Sequence, residues 1–314
     1  MNHHSLSRLS VPPEALLEDF HFESVKVNPQ GEIVEKRMSV AKQYHEELGN
    51  GVILEIVSLP GGSFRMGSRP MEGTEDERPQ HFVNLEPFLI SKYPVTQEQW
   101  ATIMNWTPPY RFQGKKRPVD RVSWDQTQEF CQKLSLKTGH NYRLPSETEW
   151  EYACRVGTST AFYFGETITT DLANYVGEHT YLSGPKGIYR HQTTDAGSFP
   201  PNAFGIYDLG GNVWEWCLDA WHDNYQGAPA DGSPWEIHGS IERVVRGGCW
   251  HDPPNLCRSA SRLKFVAKDP DDFIGFRLAL SSLDIVAVPE TRAPDSWNPL
   301  NKILSRIRAR GAKS

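Results

Sequence analysis

From Phe20 the chain alternates apolar and polar positions: FHFESVKV, then a turn at Pro29–Gly31, then GEIVEKR. Alternation with period two, bounded by turn residues, predicts two strands joined as a hairpin. A second hairpin is expected around Gly49-Asn50-Gly51, with VILEIVSLP as its outgoing strand. That triplet supplies the positive-φ residues a tight hairpin needs. GGSFRMGS (61–68) then leads through an acidic loop, EGTEDERPQH, into a strand reading HFVNLEPFLISKYPV.

Helical spacing first appears after Thr96. Thr96 with Gln99, Ser123 with Gln126 and Ser146 with Glu149 each form the pattern of a capping box. Trp100, Ile103 and Met104 give the first helix its apolar face. Phe130 and Leu134 serve the second, which Gly139 ends, and WEYACR continues the third. From residue 156 the pattern dissolves into loops and short strands, the last being GFRLAL (275–280). Beyond Pro289 the composition turns basic, with no acidic residue after Asp295. Leu300, Ile303, Leu304 and Ile307 fall at helical spacing, so a short basic amphipathic helix is expected there, either solvated or docking a partner.

Composition narrows the function classes. Ten Trp, 23 Pro and 25 Gly in 314 residues point to a fold rich in turns. A formal net charge of −6 makes nucleic acid an unlikely partner. No apolar run is long enough to span a bilayer, and MNHHSLSRLS has no apolar signal-peptide region, so a cytoplasmic location is expected. Five cysteines (131, 154, 217, 249 and 257) argue against a disulfide framework. There is no GxGxxG, P-loop, GxSxG, CxxC or HExxH motif. The chemistry concentrates instead in RGGCWHDPPNLCRSASR (246–262), which holds two glycines, a tryptophan, a Pro-Pro pair and two cysteines. A loop of that kind is where function is expected.

Seven motifs occur in order: GGSFRMGS, YPVTQEQW, RPVDRVSWDQTQEFC, RLPSETEWEYACR, FPPNAFGIYDLGGNVWEW, RVVRGGCW and GFRLAL. Together they resemble the formylglycine-generating enzyme / sulfatase-modifying factor family. The resemblance implies an irregular α+β fold related to C-type lectins. It also implies an organisation into an extension with a β-hairpin (1–44), the family domain (45–282) and a basic tail (283–314). One branch of the family oxidises a sulfatase cysteine to formylglycine, using copper(I) held between two cysteines. Another, with an HxxxHxE cluster, makes sulfoxides; this chain lacks that cluster. A third has no copper pair and binds ligands, and it includes variable proteins of diversity-generating retroelements.

Matched residue by residue, Cys257 falls on the second copper cysteine and Asp252 on the first. Cys249 takes the place of a serine beside the substrate. A carboxylate is a hard ligand and a poor substitute for a thiolate on copper(I), so copper is doubtful and calcium is the expected ion. The family's calcium loop maps onto Asp208, Gly211, Val213 and Glu215, with Asn174 as a weaker second site; hard oxygen ligands suit that ion. The reading favoured is a calcium-stabilised, lectin-like module. It would bind a protein or peptide through the 249–273 loop, with His251, Asp252, Asn255, Leu256, Leu263, Lys264, Phe265 and Val266 as its surface. Leu263–Val266 belongs to that surface if exposed and is a strand if buried. The alternative is a copper-dependent oxidoreductase using Cys257 and Cys249.

Overall fold

The computed structural model describes residues 16–281. The first alternating segment forms β1 (Glu18–Val27), paired antiparallel with β2 (Ile33–Gly49). The inward positions of β1, Phe20, Phe22, Val25 and Val27, are buried. The second turn, with Gly49, Asn50 and Gly51 all at positive φ, feeds β3 (Val52–Leu59). Because β2 is one strand of 17 residues, the 44/45 boundary expected from sequence lies inside it. The N-terminal hairpin thus belongs to the main sheet.

The segment 81–95 makes two strands. β5 (His81–Leu85) pairs with β4 (Gly62–Met66) in a small sheet, whereas β6 (Phe88–Ser91) joins β3. Pro87 lies between them, and proline cannot donate to a ladder. All three expected helices form, each with both arms of its capping box: α1 (Gln97–Met104), α2 (Trp124–Thr138) and α3 (Glu147–Arg155). The remaining strands are β7 (Tyr142–Arg143), β8 (Trp214–Ala220), β9 (Glu242–Arg246), β10 (Arg262–Val266), β11 (Ile274–Gly275) and β12 (Ala279–Ser281).

Two larger sheets result, with orders β1-β2-β3-β6-β12-β7 and β10-β9-β8-β11. GFRLAL bridges them. Its start pairs with β8 and its end pairs with β6 and β7, so the expected single strand is split between two sheets. Between the two halves sits Arg277, fully buried, whose guanidinium donates to Glu215, to the Ser91 carbonyl and to the Tyr207 carbonyl. No described helix is long and apolar enough to cross a membrane. The basic tail expected at 283–314 lies outside the described residues.

α3 is buried on every side although it carries three glutamates. Buried carboxylates persist only when paired and hydrogen-bonded. Glu147 accepts from Arg262 at 2.8 and 2.9 Å and from Arg246 at 3.2 Å. Arg143 grips Glu149 at 2.6 and 2.7 Å. Glu151 accepts from Arg155 at 2.7 Å, from the Gly67 amide at 2.9 Å and from Arg246. Burial pushes the Glu151 carboxyl upward, but Arg155 and Arg246 outweigh it and hold the group below its ordinary range.

Arg246 thus serves two carboxylates and also donates to the Ser259 and Ala260 carbonyls at 2.8 and 3.0 Å. Arg246→Met would keep much of the volume and strand those charges. Urea unfolding at neutral pH is expected to show a loss of about 3–5 kcal/mol, the usual cost of breaking a buried pair. A loss under about 1 kcal/mol would mean the network is dispensable.

Candidate functional site

β9 is followed by Gly247 and Gly248, both at positive φ. A Cβ on Gly248 would lie 2.7 Å from the Cys257 sulfur, and one on Gly247 would lie 3.1 Å from the Trp150 ring. The turn is therefore closed to larger residues, and it carries the chain into the loop. Backbone bonds lace this loop to two others. The Gly211 amide donates to Gly247, the Asn212 amide to Asn174, and the Trp250 amide to Asn212, at 2.7, 2.8 and 3.0 Å.

Asp252 faces inward. Its Oδ2 accepts from the Trp214 indole at 2.7 Å and from the Cys249 amide at 2.9 Å. The Asp252 carbonyl accepts from the Val176 amide. Half-buried, it fastens the loop through these bonds, where it was expected on the binding surface. Cys249 and Cys257 are buried, and burial pushes both thiols well above their ordinary range. Neither is a thiolate at neutral pH without a metal or base to take its proton.

Of the other expected surface residues, His251 and Asn255 are exposed, and Leu256 packs half-buried against the core. Leu263–Val266 is the strand alternative. Leu263 and Phe265 turn toward the core, Lys264 pairs with Glu242 at 3.0 Å, and only Lys264 and Val266 face out. These four residues do not form a contiguous apolar surface.

The expected calcium loop is also altered. Asp208 is buried, with Oδ2 accepting from the Gly197 amide at 2.6 Å and Oδ1 unpartnered. Burial pushes its carboxyl up to about 6. The Gly211 carbonyl accepts from the Val213 amide at 3.0 Å. Glu215 is not a free ligand. Its oxygens accept from Trp150 at 2.6 Å and from Arg277 at 2.6 and 2.8 Å. A strand residue pointing into the core meets the arginine there, which spacing along the chain could not reveal. Asn174 donates to the Gln192 carbonyl and to Asn212, and its own Oδ1 has no partner. Among the described residues no group of three or more His, Cys, Asp or Glu converges as a metal cluster.

Sequence reasoning missed the aromatic face beside the loop. Trp250 is buried, with Phe112 edge-on at 5.4 Å and Tyr189 stacked at 6.2 Å. The Tyr189 hydroxyl meets His251 Nδ1, and His191 lies 3.7 Å from the Tyr189 ring. The exposed Arg111 guanidinium sits over Phe112 and Trp250 at 5.3 and 5.4 Å. Phe112 and Tyr189 come from loops with no periodicity, so only their aromatic character in PYRFQG and GIYRHQ was a signal.

The Sulfatase-modifying factor enzyme 1-like domain family matches residues 46–282. The chain belongs to that family. The serine/threonine-protein kinase pkn1 of Chlamydia pneumoniae is 30% identical over 256 residues, covering 73% of this chain. The chain spans only 38% of that kinase's length. The inactive C-alpha-formylglycine-generating enzyme 2 of Bos taurus is 29% identical over 286 residues, covering 74% of this chain and 90% of the relative. Among solved structures, PvdO from Pseudomonas aeruginosa superimposes with a TM-score of 0.66 at 35% identity, over 75% of this chain and 97% of its own. The sulfatase-modifying factor fold accounts for the sparse helices and the loop-borne site.

The 107–121 loop of this family domain also holds Asp120, fully buried with neither oxygen partnered. Burial, and then Asp272, push its carboxyl from 3.8 up to about 7. The folded protein therefore keeps a proton that the unfolded chain releases. Stability from this group is full below about pH 4 and is lost as pH rises through about 7. Asp120→Asn should flatten part of that decline, gaining on the order of 2 kcal/mol over the wild type at pH 8 and little at pH 4. Urea unfolding of both proteins across this range measures it. Equal slopes would show that Asp120 ionises freely in the fold.

Proposed function

We propose that this chain is a binding domain of the sulfatase-modifying factor family, taking a protein or peptide ligand on the face formed by its 107–112, 189–191 and 249–256 loops. The observation that carries the reading is Asp252. At the position where the copper oxidases of this family hold a thiolate, a carboxylate is turned inward and engaged by Trp214 and the Cys249 amide. The residues present do not fit a two-thiolate copper(I) site at the family's positions. Similarity to an inactive formylglycine-generating enzyme supports the same view.

Calcium is proposed as a structural ion on a narrower donor set than the resemblance implies: the unpartnered Asp208 oxygen with the Val213 carbonyl. Glu215 is left out because Arg277 and Trp150 occupy it. Calcium suits such hard oxygen donors. A rise in melting temperature on adding calcium, absent in Asp208→Asn, is the expected result. No rise in the wild type rejects the ion.

Titration with copper(I) against a competing chelator tests the main reading. No tight stoichiometric complex is expected. A tight complex abolished in Cys257→Ser would sink the binding-domain reading and restore the oxidase.

A further inference from the structure

The aromatic face carries unused hydrogen-bond donors. Trp250 is 2% exposed, and its indole N–H has no partner among the described residues. A buried donor without an acceptor is costly and uncommon. Among the described residues Arg111 makes no hydrogen bond or ion pair. Its guanidinium rests over the Phe112 and Trp250 rings, a contact of modest strength at an exposed site. His191 and His251 are exposed beside it.

Two of the three nearby carboxylates are already engaged. Asp252 is bonded inward to Trp214 and the Cys249 amide. Asp272 is paired with Arg121. Glu178 is exposed and lies toward Tyr189.

We infer that this face receives a carboxylate of its peptide ligand, held by the Arg111 guanidinium and the Trp250 indole N–H. The inference rests on the binding-domain reading and names the ligand's chemistry. A guanidinium presents paired N–H donors that match the two oxygens of a carboxylate. Because Arg111 is held only by ring contacts, it can swing toward an arriving anion without breaking an ion pair. Phe112 and Tyr189 would then flank the aliphatic stem of the ligand's acidic side chain.

The test follows the Trp250 indole signal by ¹⁵N–¹H NMR while the full chain is titrated with acetyl-Gly-Glu-Gly-amide. Matched peptides carrying Gln or Arg, and inorganic phosphate, serve as comparisons. The Glu peptide is expected to move the Trp250 signal downfield. Arg111→Ala, a change at an exposed side chain, should weaken binding by roughly tenfold or more, the usual effect of losing a hydrogen bond to a charged group. Arg111→Lys should restore only part of it. Retained dispersion of the other indole signals would show that these variants fold.

Equal binding of the Gln peptide, unchanged affinity in Arg111→Ala, or no shift with any probe would overturn the inference. A shift produced by the Arg peptide instead would overturn it while leaving the binding-domain reading intact. Phosphate acting at lower concentration than the Glu peptide would overturn the carboxylate assignment. A copper(I) complex, measured separately, would strike the broader reading.

Discussion

Burying α3 fixes much of what surrounds it. A nine-residue helix with Glu147, Glu149 and Glu151 can enter a core only if each carboxylate meets a cation there. They come from β7 (Arg143), the last residue of α3 (Arg155), the end of β9 (Arg246) and the start of β10 (Arg262). Two of these residues open and close the 246–262 loop. The ion network and the loop's anchorage therefore overlap: the two ends of 246–262 meet Glu147 and Glu151 of the helix.

A second arginine plays a similar part for the sheets. Arg277 crosses between them, bonding to Glu215 of β8 and to carbonyls near β6 and before β8. Irregular backbone leaves carbonyls without ladder partners, and a guanidinium with several donors can satisfy them at once. Arg258 repeats the device at Glu77 and the Asn255 carbonyl. A loop-rich fold with few helices is stiffened in this way, and the aromatic face stands on that stiff base.

Inside the loop, Asp252 exchanges surface chemistry for order. Its oxygen joins the Trp214 indole of β8 to the backbone at Cys249, while its carbonyl ties in Val176. The chemistry left facing outward belongs to Arg111, Tyr189, His191 and His251, contributed by three separate loops.

The family, the three capped helices and the hairpin turns were legible in the sequence, because capping boxes, positive-φ glycines and ordered motifs are local signals. What only the tertiary structure decided was which way side chains point and which distant groups they meet. Glu215 sits at the spacing of a calcium ligand yet is taken by Arg277 and Trp150. Asp252 falls where the family resemblance implies a copper ligand yet turns inward, and Phe265 was expected on a binding surface yet packs on Trp216. The face built by Arg111, Phe112, Tyr189 and Trp250 joins residues up to 139 positions apart. No pattern along a single strand or helix encodes such a meeting, because it follows from how two sheets and a buried charged helix bring their loops together.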